Sequence, residues 1–426
     1  MTDLMSPAEA RLLDALDEQA LVDDLVRLVR VPSVTGSAAE SELMAWAAGD
    51  AERRDLKVDH WKIDLKALAA HPDFPGTEAP RQEAYGLVAT TPGADAPALV
   101  LQGHVDVVPI GDPARWGAVD PFGARIEDGI LHGRGACDMK AGVAANAAVL
   151  RTLLAAGVQL ERPLAVHWVV SEEDGGLGAL ATMLRGHGGE AAVITEPTSG
   201  RIVVANAGAL TFRIEVEGRA AHGSTRTEGV SAFEVFLPIH RAIAELEKTR
   251  NQSPPEIFAG NQLPYPISIG MLSAGDWASS VPDLLVAEGR LGVLLDEDPA
   301  AARRAFEDCI AVAAARDPWL RTHPPAVTWP GGQFASGRTP EGHQIIAEMA
   351  TAVADATGGG TPALAAAPYG SDLRLYTGIG KIPALHFGPG DVRMAHAPRE
   401  QVSLTELIEV TRALLLLAAR RCGAHL

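Results

Sequence analysis

Leu99-Val100-Leu101-Gln102-Gly103-His104-Val105-Asp106-Val107-Val108 is the stretch whose reading decides the fold. The run from Ala98 to Val108 is rich in aliphatic residues and reads as a strand. A strand with one wet face alternates apolar and polar residues. This one stays apolar until its end, so it belongs to a largely parallel sheet covered on both faces. Sites in such sheets form at the carboxyl ends of strands. His104 and Asp106 stand there.

Working outward, the same grammar repeats. Leu164 to Ser171 reads as a strand and ends at Glu172-Glu173, and Ala191 to Thr195 reads as a strand and ends at Glu196. Helical runs lie between them, at Lys140 to Ala156 and Leu177 to His187. Upstream, leucines from Leu12 to Leu28 recur at helical intervals, which predicts a helix over Ser6 to Arg30. Lys62 to Glu83 carries several prolines without periodicity and reads as a surface loop.

The pattern changes near Ala207. Leu210 to Val216 alternates, a helix runs from Ser231 to about Thr249, strands follow at Ile267 to Leu272 and Leu284 to Leu295, and a helix covers Pro299 to Arg316. This β-α-β-β-α order predicts an inserted α+β domain over 207–325. The mostly parallel α/β domain is then discontinuous, 1–206 with 326–426. Its last helix spans Ser403 to Cys422, with Ser403 as N-cap and Glu406 completing a capping box.

Bulk properties set limits. The 426 residues suffice for two domains, and an apolar fraction of 47% supports a core. The formal charge is −18, with 54 acidic against 36 basic residues. A nucleic-acid binder needs a basic face, so nucleic acid is excluded as a partner. The longest apolar run near the C-terminus, Ala413 to Ala419, is too short to span a bilayer, which argues against a membrane. The N-terminal segment lacks the basic and apolar regions of a secretory signal. Three cysteines, Cys137, Cys309 and Cys422, give no disulfide framework. The expectation is a cytoplasmic protein acting on a small molecule.

The chemistry-bearing residues each have a plain alternative. His104 and Asp106 face the same way if both lie on one strand, and Asp106 would then orient the imidazole; they could equally face solvent. Asp138 follows the glycine-rich turn Gly133-Arg134-Gly135 and could bridge two ions or merely cap a helix. Glu172 and Glu173 point in different directions, so one can hold metal while the other acts as a base. Glu196 and His396 would be unremarkable alone. Together they offer two imidazoles and several carboxylates, about what two ions roughly 3.5–4 Å apart require. His240 falls on the apolar face of its helix with Phe233, Phe236, Leu237 and Ile243 and is expected to be core. Cys137 is expected to be a buried thiol.

Several motifs occur in one order: Trp116 with Asp120-Pro121-Phe122, then GRGACDMKAG (133–142), SEED (171–174), TEPT (195–198), GRAAHGS (218–224), YGSD (369–372), GPGD (388–391) and AHAPRE (395–400). In this the chain resembles the M20 metallopeptidase/deacylase family over nearly its whole length. The resemblance implies a phosphorylase/hydrolase-like catalytic domain with a ferredoxin-like lid and dimerisation insert. It implies that His104, Asp138 and Glu196 hold one ion and that Asp138, Glu173 and His396 hold the other. Zinc suits the ligand types best, with manganese or cobalt as alternatives. Glu172 would be the general base and Asp106 would orient His104. His222 would act in the partner subunit's site of a homodimer. Arg290, Gly370, Ser371 and Arg374 would contact substrate. A cis peptide is implied after Asp138.

The expected function is hydrolysis of a C–N bond in an N-acyl amino acid or related small amine. One departure matters: the family has Asn where Ser279 stands, three residues before the lid proline, and Trp277 could supply an aromatic face instead. Action on an aromatic amine or pyrimidine is therefore an alternative. So is a dipeptidase or carboxypeptidase, and more remotely a non-catalytic metal-binding homologue.

Overall fold

The computed structural model describes residues 5–426. Its larger sheet has nine strands. Eight follow the order Lys57–Lys62, Tyr85–Thr90, Leu164–Val169, Leu99–His104, Ala192–Ile194, Ala384–His386, Ile202–Asn206 and Gly337–Arg338, while Leu364–Ala367 also pairs with Ile202–Asn206. The centre is parallel: Leu99–His104 runs parallel to both Leu164–Val169 and Ala192–Ile194, and Ala384–His386 runs parallel to Ala192–Ile194. Antiparallel strands close the sides. Every residue of Leu99–His104 and Leu164–Val169 is buried. A strand with no wet face needs no alternation, which is why both runs read as continuous apolar sequence.

The Ala-rich helix Ala141–Ala155 packs on Leu99–His104 and contacts helices Glu18–Arg30 and Leu404–Arg421. Small side chains suit a helix buried this deeply. The predicted Ser6–Arg30 helix is two helices, Pro7–Asp14 and Glu18–Arg30, because Asp17 leaves helical geometry and caps the second through the Ala20 N–H at 2.9 Å. Ser403 caps Leu404–Arg421, but Glu406 does not close a capping box. Its carboxylate accepts the Gly390 N–H at 2.9 Å instead.

The second sheet has five strands and its own apolar cluster. Ile267–Ala274 lies at its edge beside Leu284–Val293, then Gly208–Glu217 and Ala326–Thr328, while Gln333–Phe334 also pairs with Gly208–Glu217. Those last two pairings place the return crossing between Phe334 and Gly337, later than residue 326. Helices Ala232–Arg250 and Pro299–Ala314 pack against each other over this sheet. His240 is exposed rather than core, as are Phe233 and Leu237. Phe236, Ile239 and Ile243 supply the buried stripe, so the helix carries apolar residues on a second, outward face.

Lys62 to Glu83 is more than a surface loop. It contains the helical turn Leu65–Ala69 and then a strap. Asp174 accepts the Glu78 and Ala79 N–H groups at 3.1 and 3.0 Å, and Glu78 accepts the Thr211 hydroxyl at 2.7 Å. The strap thus ties the Glu172-Glu173 loop to the second sheet.

Candidate metal centre

Five side chains converge where the parallel strands end. His104 closes one strand, Glu173 follows Val169 of the next, and Glu196 follows Ile194. Asp138 comes from the turn before helix Ala141–Ala155, and its peptide bond to Met139 is cis. His396 comes from the loop after Ala384–His386, with φ at 59°. Ligand atoms of His104, Asp138 and Glu196 lie within 4.8 Å of one another, and so do those of Asp138, Glu173 and His396. Asp138 is shared. Its Oδ1 is 3.2 Å from His104 Nε2, and its Oδ2 is 3.6 Å from His396 Nε2. His396 Nε2 also meets Glu173 Oε2 at 2.9 Å, and His104 Nε2 is 3.9 Å from Glu196 Oε2.

The electrostatics fit cations. Burial and the neighbouring carboxylate of Glu196 hold Glu172 well above the ordinary carboxylate range. Burial likewise raises Glu173 and Glu196, with Asp138 adding repulsion in both cases. The charge of Glu173 raises His396 to about 11. Burial opposes charge on His104, but the Asp138 hydrogen bond and the surrounding carboxylates hold its pKa well above the usual value. Glu196 Oε1 is buried without a hydrogen-bond partner. Four acids at this depth, one with an orphaned oxygen, are what a pair of divalent ions would satisfy.

Asp106 does not orient His104 through its carboxylate. The strand ends at His104, so the chain no longer alternates beyond it. His104 Nδ1 lies 2.9 Å from the Asp106 backbone oxygen, with Asp106 Oδ1 at 3.6 Å. The carboxylate instead accepts the N–H groups of Glu172 and Glu173, each at 3.2 Å, and the Thr35 hydroxyl at 3.0 Å. It fixes the Glu172-Glu173 loop.

A cleft of about 870 Å³ opens from His396 to the second sheet, lined also by Thr77, Glu78, Arg290, Met271 and Phe334. Arg290 donates to the Pro368 oxygen at 3.3 Å, and its Nε has no partner. Gly370 lies so close to Phe334 that a Cβ would sit 2.4 Å from the Phe334 Cβ. Ser371 and Arg374 are buried and engaged internally. The Ser371 hydroxyl bridges His386 Nε2 and the Leu373 N–H. Arg374 donates to the Ser371 and Gly175 carbonyls and stacks over Phe334 at 4.2 Å. Arg374 therefore braces the cleft wall instead of facing a ligand. His222 and Trp277 are exposed and outside this lining; the Gly223 N–H to Ser279 oxygen bond of 2.6 Å joins their two loops.

Two residues with no role assigned from sequence brace the centre. Glu400 Oε1 accepts the N–H groups of Cys137 and Asp138, both at 3.0 Å, while its Oε2 accepts from Arg134 at 2.5 Å. Tyr369, beside Gly370, stacks on His386. Glu400 ends the AHAPRE string, but no local spacing signals its long-range partners. Cys137 is buried as expected, its thiol donating to the Asp391 oxygen at 3.2 Å.

Covered parallel strands, a two-group acidic centre at their ends and an added sheet walling the cleft define a metal-dependent amide hydrolase. The chain belongs to peptidase family M20/M25/M40, whose model matches residues 100–420. It is 27% identical over 399 residues to the N-formyl-4-amino-5-aminomethyl-2-methylpyrimidine deformylase of Bacillus subtilis, covering 88% of this chain and 87% of the relative. It is 29% identical over 400 residues to the acetylornithine deacetylase of Shigella sonnei, covering 91% and 94%. Human carnosine dipeptidase 1 shares the fold at a TM-score of 0.76 and 14% identity, with 97% of this chain and 100% of that one covered. Among the described residues, no helix is long and apolar enough to cross a membrane.

Proposed function

We propose that this chain hydrolyses the amide bond of a small N-acyl amine, with His104, Asp138 and Glu196 holding one divalent ion and Asp138, Glu173 and His396 the other. The observation that carries this reading is the sharing of Asp138 by two ligand groups. Zinc suits the imidazole and carboxylate set, and manganese or cobalt is the alternative. Such ions activate a water and polarise the acyl oxygen. Glu172 accepts the proton of the attacking water and returns it to the leaving amine. Its carboxyl, raised by burial, suits a group that must do both. Arg290, whose Nε has no hydrogen-bond partner, offers its guanidinium to an anionic substituent on the substrate.

The oligomer is part of the proposal. Ile267–Ala274 has an open edge, with Met271 and Leu272 exposed, and the adjoining helix exposes Phe233 and Leu237. Pairing of two such edges buries both patches in a homodimer. His222 and Trp277 then serve the partner's site. Three free cysteines suit a reducing, cytoplasmic setting.

A second reading has its own support. Ser279 and Trp277 favour an aromatic amine over an amino acid, and two relatives, from Bacillus subtilis and Halalkalibacterium halodurans, are named as deformylases of an aminopyrimidine. Assay of N-formyl aminomethylpyrimidines, N-acetyl amino acids and dipeptides with zinc or manganese separates these readings. Glu172→Gln should keep both ions and lose turnover by roughly 10²–10⁴-fold; unchanged turnover would reject the assigned base.

A further inference from the structure

We propose that Tyr369 is a substrate-contacting residue whose hydroxyl donates a hydrogen bond to the acyl oxygen of the scissile amide. The inference rests on the hydrolytic reading above.

The position of the ring is well determined by its surroundings. Tyr369 directly follows Pro368, whose carbonyl anchors Arg290 in the cleft wall. Its own carbonyl accepts the Asn206 side-chain N–H at 3.0 Å. Its ring stacks on His386 with centroids 6.3 Å apart and planes 20° from parallel. His386 is itself held by Ser371 at 2.9 Å and ends the strand that pairs with Ala192–Ile194, two residues before Glu196. The ring therefore lies over the Glu196 side of the centre.

Tyr369 is half-buried, and among the described residues its hydroxyl has no hydrogen-bond partner, so it is free to donate. Burial, and then the charges of Glu196, Asp138 and Glu172, hold the phenol well above its usual pKa. It thus stays protonated and can only gain by donating to an oxygen that arrives with the substrate. When water adds to the acyl carbon, that oxygen gains negative charge, and a hydrogen bond from a neutral phenol to it strengthens. The phenol keeps its proton throughout; Glu172 carries the transferred one. This donor belongs to the same chain as the metal ligands, unlike His222.

The test is Tyr369→Phe, which preserves the ring and its stack on His386. Expected for the purified metal-loaded enzyme is a fall in kcat of roughly 10²-fold. KM should change by less than about threefold, and both ions should remain by elemental analysis. Binding of methylphosphonate, a tetrahedral oxyanion mimic, should weaken about tenfold by calorimetry. Unchanged kcat and methylphosphonate binding in Tyr369→Phe would overturn the proposal, and so would a loss of bound metal that accounts for the fall. If the wild-type enzyme binds two ions yet cleaves no amide, the hydrolytic reading fails instead, and methylphosphonate binding still reports on the hydroxyl.

Discussion

Glu400 holds the backbone of Asp138 in place: its Oε1 accepts the Asp138 N–H at 3.0 Å, and the same oxygen takes the Cys137 N–H. The shared carboxylate of the centre is therefore aimed by a residue 262 positions away in the chain. Arg134 donates to the other Glu400 oxygen, so both oxygens of the brace are engaged. Glu400→Gln keeps the shape but must turn an NH2 toward either the two N–H donors or the guanidinium. We expect a stability loss on the order of 3 kcal/mol, since the partner charge stays buried. Metal affinity should fall about 10–100-fold, as for other residues that orient ligands. Competition titration with a chromophoric chelator reads the affinity, and urea unfolding reads the stability.

Removal of metal should be felt by the whole catalytic domain. Glu172, Glu173 and Glu196 are raised by burial and by neighbouring carboxylates, and Glu196 has an orphaned oxygen. Ions that bind only the folded chain at about 1,000 times their Kd add roughly 4 kcal/mol each. A chelated sample should melt several degrees lower, and zinc or manganese should restore it. A Tm indifferent to chelation would speak against ions at these side chains.

Gly142 shows how closely the helix under the centre approaches it. A Cβ there would sit 2.2 Å from the Thr195 carbonyl oxygen, one residue before Glu196. Both groups are backbone, so neither side can swing away. Gly142→Ala would gain helix propensity at an exposed site. Here it should lower stability by about 1–3 kcal/mol through overpacking and displace Glu196. Reduced ion stoichiometry together with a lower urea midpoint is the expected pair of readings.

Much of this centre was legible in the sequence because its ligands sit at ends of continuous apolar runs. His104, Glu196 and the Glu172-Glu173 pair could be placed from run endings alone, while the family resemblance brought in Asp138 and His396 and singled out Glu173 as the ligand. What was not legible depends on contacts between distant segments. Asp106 looked like an imidazole partner because alternation was extended past His104, where the strand in fact stops. Arg374 looked like a ligand contact, yet Gly175 and Ser371 carbonyls claim it. The strap at Thr77 to Arg81 lacks any periodicity, and its partner Asp174 is about a hundred residues away. His240 and its neighbours formed an apolar face, but periodicity does not say which of two faces meets the sheet.

His167 should give the folded chain a pH dependence separate from the metal centre. Burial, with His187 nearby, lowers its pKa to about 3. Its Nδ1 pairs with the Tyr376 hydroxyl at 2.9 Å, while Nε2 has no partner. The unfolded chain takes up a proton at this imidazole below about pH 6.5, and the fold does not until about pH 3. Stability is therefore complete above about 6.5 and declines as pH falls through that window. His167→Gln should remove this contribution. Between about pH 6.5 and about pH 5.5, wild type should lose about 1 kcal/mol more than the variant in urea unfolding. Parallel losses would show that His167 is not held neutral.

The proposed homodimer makes a prediction that only a shared site can meet. His222 and Trp277 are exposed on joined loops and lie outside the cleft lining of their own chain. If the partner subunit's His222 completes each site, two inactive variants should rescue one another. Mixing Glu172→Gln with His222→Ala under conditions that exchange subunits yields about half heterodimers. In each heterodimer, the subunit with intact Glu172 receives an intact His222 from its partner, while the other site lacks both. About a quarter of wild-type activity should therefore return. If His222 acted within its own chain, no site in the mixture would hold both groups, and activity would stay at the level of the separate variants.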